Sequence, residues 1–146
     1  MFGKIIKAFT EPLPEQTSQP QELTFRVEGV NYHKEQIETL AIPMKKWNLP
    51  DKVLAEKFTL KKIYKYYFEK TTATFVPEKD RLKVMINNMH VGYVPDREAV
   101  EVKKMLIHKV DISAQIKGGD YKVVSANGDA VVMDDRYSIE VTISRG

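Results

Sequence analysis

The chain has 146 residues, 42% of them hydrophobic and 29% charged, which suits one globular domain with a sizeable core. It has no cysteine, so disulfides, thiolate zinc sites and thiol nucleophiles are excluded. It also lacks an apolar run long enough to span a bilayer and a signal-peptide pattern, so a cytoplasmic address is expected.

The net charge of +3 decides little, but its distribution is uneven. Residues 44–70 hold eight lysines against three carboxylates, a net of +5, whereas residues 129–140 carry a net of −3. An anionic partner would therefore meet the middle of the chain.

In chain order, Phe2, Ile5, Ile6 and Phe9 form a short amphipathic turn, and the proline-rich stretch Thr10–Glu22 reads as a linker. Residues 1–22 are thus expected to be a tail and linker, with the domain proper at 23–146. Leu23, Phe25 and Val27 alternate as a first strand that ends at Gly29-Val30-Asn31-Tyr32. Short helices are expected over roughly 34–42 and 48–58, the second capped by Asn48. Lys62–Glu69 reads as one strand, with Tyr64, Tyr66 and Phe68 on one face, and Thr71–Val76 as its continuation or partner.

Arg81–Pro95 carries the sharpest signal. Leu82, Val84 and Ile86 alternate with Arg81, Lys83 and Met85, and Asn87-Asn88 tolerates the positive φ of a two-residue hairpin turn. Asp96 then opens a helix to about His108, with Ala99, Val102 and Leu106 on its apolar face. Two further inward sets follow: Val110, Ile112, Ala114 and Ile116, then Tyr137, Ile139, Val141 and Ile143. Gly118-Gly119-Asp120 and Asn127-Gly128-Asp129 are read as turns between strands. The expected fold class is mainly β (α+β): a small, partly open antiparallel β-barrel, OB-like or SH3-like, with two or three short flanking helices.

Catalytic signals are sparse. His33, His90 and His108 have no metal-ligand spacing, and neither a metal nor a cofactor is expected. Asp134, Asp135 and Glu140 would need to converge in a pocket to support hydrolysis. No phosphate-cradling glycine motif occurs. The basic middle is more informative, because Trp47, Phe58, Tyr64, Tyr66, Tyr67 and Phe68 interleave its lysines. Aromatic platforms for bases beside ammonium groups for phosphates are what single-stranded nucleic-acid sites use.

The order of motifs resembles the HIRAN domain family over Leu23–Ser144: Phe25-x-Val27-x-Gly29-Val30-x-Tyr32, a helix, a basic-aromatic strand, Leu82-Lys83-Val84, and an arm ending Val91-Gly92-Tyr93-Val94-Pro95. Ile116-Lys117-Gly118-Gly119 also looks like a glycine turn of the bacterial members. The resemblance implies a small β-barrel that binds single-stranded nucleic acid, DNA or DNA ends, without catalysis, in DNA repair or processing. It places Asn31, Tyr32 and Tyr93 at base-contact positions. The family's central Pro-Tyr-Asp is here Val76-Pro77-Glu78, so Phe75 becomes the substitute platform and Glu78 the substitute acceptor; Lys79, Arg81 and Lys83 would meet phosphates. The alternative is a protein-interaction module on the same barrel that has lost DNA-end recognition and meets a protein partner through the acidic segment Asp129–Glu140.

Overall fold

The computed structural model describes residues 21–145, so the expected amphipathic tail and most of the linker lie outside the described residues. The described residues are mainly β with three short α-helices, and among them the sheets do not close into a barrel. The fold class therefore stands as α+β, and the barrel expectation is corrected to separate, packed sheets.

Strand β1 (Glu22–Arg26) pairs antiparallel with the C-terminal strand β10 (Ala130–Arg145), and β10 pairs along its length with β9 (Val110–Val124). The register sets Ile139 opposite Ile116, Val141 opposite Ala114 and Ile143 opposite Ile112. Both expected inward sets thus meet on one face. Two short strands, β3 (Ile63–Tyr64) and β5 (Thr71–Thr72), add to the other edge of β9.

A second sheet is built from β6 (Thr74–Glu78), β7 (Arg81–Ile86) and β8 (Met89–Tyr93). Its β7–β8 turn is the expected one, with Asn87 and Asn88 at φ 50° and 61°. Leu82, Val84 and Ile86 are buried and pack with Phe25, Ile139 and Ile143 in the principal core. The two sheets are stitched at one point, where Glu28 and Tyr93 exchange backbone hydrogen bonds of 2.9 and 2.8 Å.

The helices are shorter than expected. Helix α1 (Lys34–Glu38) buries Ile37, and α2 (Asp51–Lys57) buries Leu54 against Val124 in a small second core. Asn48 does not cap α2; it ends a separate 3-10 turn, Lys45–Asn48, and Pro50 occupies the cap position. Helix α3 (Asp96–Met105) turns Val102 and Met105 inward, leaving Leu106 36% exposed at its C-cap. Among the described residues no helix is long and apolar enough to cross a membrane.

Three strand expectations change. The stretch Lys62–Glu69 divides at Lys65 into β3 and β4 (Tyr66–Tyr67), because β4 pairs with β2 (Ile42–Pro43) and β3 with β9. Thr71–Val76 pairs with β9 and β7 rather than with that stretch. Gly118-Gly119-Asp120 is no turn: β9 runs through it, opposite a bulge between Asp135 and Ser138 on β10. The Tyr137 ring lies over Gly119, whose added Cβ would sit 2.7 Å from it, and Gly119 holds φ 94°. Space and backbone conformation both demand glycine there.

Gly92 is the second such position. At φ 153°, a Cβ there would strike the Val27 side chain and the Glu28 carbonyl. Gly92→Ala is therefore expected to cost about 2 kcal/mol or more through overpacking at the sheet junction. The urea midpoint reads this directly.

Candidate nucleic-acid interface

The site is assembled where the two sheets meet. Val30 is buried and anchors a 3-10 turn, Val30–His33, immediately after Gly29. That anchor projects the next residues outward, and Tyr32 is left 90% exposed. Its amide hydrogen-bonds to the Gly29 carbonyl at 3.1 Å, which holds the turn.

The opposite wall comes from β8. Its register skips from Val84–Gly92 to Met85–His90, leaving Val91 as an extra residue. Three residues apart on a regular strand, His90 and Tyr93 would point to opposite faces; the bulge returns them to one. Their rings meet edge to face at 4.7 Å. His33 lies over His90 at 4.3 Å, so turn and strand are joined by an imidazole pair.

Tyr93 is held from three sides. The Arg81 guanidinium sits 4.0 Å from its ring centre, its hydroxyl donates to Glu78 at 2.8 Å, and His90 covers its edge. The shared proton pushes the Tyr93 phenol above its ordinary pKa and holds the Glu78 carboxyl below its own. Arg81 also reaches Glu28 at 3.4 Å, and Lys83 lies 3.7 Å from Glu78. The Nε of Arg81 is buried with no hydrogen-bond partner among the described residues; Asp96 stands 4.0 Å away, beyond hydrogen-bonding range.

Tyr32, His33, Tyr93, Arg81 and Glu28 line one cleft of about 390 Å³. Of the residues singled out from the sequence, Tyr32, Arg81 and Tyr93 converge there, with Glu78 and Lys83 bonded to its wall. Asn31 lies in the adjoining cleft of about 400 Å³, beside Arg26 and Arg136, and Gly29 borders both.

Two candidates stand apart. Phe75 lies opposite Val84 in the ladder, is partly buried and packs against the core 6.2 Å from Phe25, so it stands outside the Tyr32 cleft. Lys79 turns the chain at φ 55° and borders a separate depression with Lys103 and Ile107.

The residues that sequence reasoning missed are Glu28, His33 and His90. The histidines were considered only as metal ligands, and the bulge that brings His90 to Tyr93 depends on strand pairing. Among the described residues no three His, Cys, Asp or Glu side chains gather as a metal site.

Burial, then the neighbouring His90, holds the His33 pKa below the ordinary 6.5. The folded state therefore disfavours the charged ring, so stability from this group is complete above about pH 6.5 and declines as pH falls toward the lowered value. Acidification from pH 7 to 5 should lower the melting temperature, and His33→Gln should flatten that dependence. In an NMR titration of His33, His90→Gln should raise its pKa only partway, since burial is the larger cause.

The basic middle of the sequence folds around a different and larger cleft, of about 600 Å³. Tyr64, Tyr66, Tyr67 and Phe58 border it together with Lys46, Lys61 and Lys62, and β9 and β10 add Lys117 and Arg136. Tyr64 donates to Asp135 at 2.9 Å, the one carboxylate among the described residues of its wall. Compared with family models, curated proteins and solved structures, the chain matches none.

Proposed function

We propose that this chain is a HIRAN-like module that binds single-stranded nucleic acid, preferentially DNA, without catalysis, as a cytoplasmic component of DNA repair or processing. The observation that carries this is Tyr32, an aromatic ring 90% exposed on an anchored turn, facing the Tyr93–Arg81 pair across one cleft. A preorganised, solvent-facing ring is the platform on which an unpaired base stacks. The unused Nε donor of Arg81 supports the same role, since a ligand oxygen that draws the guanidinium toward it satisfies a buried group. The Glu28–Tyr93 bridge supports the resemblance, because it joins the end of the first-strand motif to the end of the hairpin arm.

Titration of fluorescein-labelled oligothymidylate at low salt should show binding, and Tyr32→Ala should weaken it by about tenfold, the worth of one stacked base. Thermal stability should be unchanged, because the side chain is almost wholly exposed. Absence of binding at low salt, or an unchanged affinity in Tyr32→Ala, rejects the site.

A protein-interaction role is favoured by a different observation. Val131, Val132 and Met133 are 58%, 60% and 50% exposed on the part of β10 that lies beyond the β1 pairing. An exposed apolar edge of this kind can add a partner's strand. Recovery of a protein after nuclease treatment, lost on Val132→Asp, would support that role.

A further inference from the structure

We infer that the large cleft beside β4 is a second nucleotide subsite, taking an unpaired base on Tyr67 and the flanking phosphates on Lys61, Lys117 and Arg136. This deepens the single-strand-binding proposal and rests on it, but its residues are different. Charge decides where phosphates go. In the Tyr32 cleft, Arg81 and Lys83 are already engaged by Glu28 and Glu78. Among the described residues the large cleft instead presents five basic side chains and one carboxylate, and that carboxylate already accepts the Tyr64 hydroxyl.

Among the described residues, none of Lys61, Lys117 and Arg136 has an ion-pair partner within 4.0 Å. All three are exposed, as is Tyr67 at 46%. A phosphate therefore meets cations that no carboxylate among the described residues must release. Aromatic faces beside unpaired cations match a planar base joined to an anionic backbone.

The clefts also adjoin one another. Asp135, Arg136 and Ser138 border both the large cleft and the Asn31 cleft, and Gly29 borders both the Asn31 and Tyr32 clefts. The bulge at Asp135–Ser138 lies where the first two adjoin. A strand occupying all three would run from Tyr32 past Asn31 and Arg136 to Tyr67.

The test compares three ligands on the full chain: oligothymidylate of about 12 nucleotides, within the range one such domain spans, an abasic strand of equal length, and the dinucleotide dTpdT. Tyr67→Ala should weaken the long oligonucleotide by at least about fivefold and leave dTpdT binding at the Tyr32 cleft unchanged. Lys61→Glu with Lys117→Glu should weaken it further and flatten its salt dependence, with circular dichroism and melting temperature unaltered. The abasic strand should bind more weakly and ignore Tyr67→Ala.

If Tyr32→Ala weakens binding while the Tyr67 and lysine variants do not, the second subsite is rejected and the Tyr32 site stands. If only the large-cleft variants matter, the Tyr32 site falls and this one stands. Equal binding of the abasic strand reduces the cleft to a charge patch and overturns the base subsite, and no binding by any strand overturns both.

Discussion

Ile139→Ala should destabilise the protein by about 4 kcal/mol, in the upper part of the range for truncating a buried isoleucine. Ile139 has no exposed surface, lies opposite Ile116 in the β9–β10 ladder and sits in the principal core. Its carbonyl also accepts the Val27 amide at 2.9 Å, fixing β1 just before the turn that carries Tyr32. At Ile139 the β10 backbone is held on both sides, by β9 and by Val27, so the cavity has little room to collapse. A domain of this size is stable by only about 5–15 kcal/mol, so the variant should lose a large share of its urea midpoint. Val132→Ala, 60% exposed on the same strand, is the control and should stay within about 0.5 kcal/mol of the parent.

The second large effect is on binding. If Lys61, Lys117 and Arg136 each meet a phosphate, log affinity for a single strand should fall against log salt with a slope of about −2 from this cleft alone. Between 50 and 200 mM salt that is a loss of about twentyfold. Binding confined to the Tyr32 cleft has only Arg81 and Lys83 to offer, both paired with carboxylates. Its slope would lie nearer about −1. Fluorescence anisotropy over a salt series separates the two, and a shallow slope would place the phosphates away from the lysine-rich wall.

How far the sequence carried these conclusions differs from element to element. The β7–β8 hairpin was legible because alternation fixed its buried face and Asn87-Asn88 supplied the turn, both local properties. The inward sets of β9 and β10 were legible for the same reason. Gly118-Gly119 misled, since a Gly-Gly-Asp run is a turn signal locally, while the choice between turn and kinked strand lies with Tyr137 and the bulge on the opposite strand. Barrel closure was likewise a question of long-range pairing.

At the site, Tyr32 and Tyr93 were found through motif order, and Arg81 and Lys83 through proximity on the hairpin. Phe75 stands outside the Tyr32 cleft because its partner in the ladder, Val84, sets the face it occupies. His90 could not be placed beside Tyr93 without the extra residue at Val91. Lys117 and Arg136 lie far along the chain from the basic middle, and only the β9–β10 pairing brings them to the same cleft. The composition of that middle was visible; its concavity was not.

The central claim is that a single strand binds along the adjoining clefts from Tyr32 to Tyr67. Amide NMR spectra recorded while oligothymidylate is added test it most directly. Progressive shifts at Asn31, Tyr32, His33 and Tyr93, extending to Tyr67 and Lys117, are the predicted result. Shifts confined to Val131–Met133, or no shifts at low salt, would contradict it.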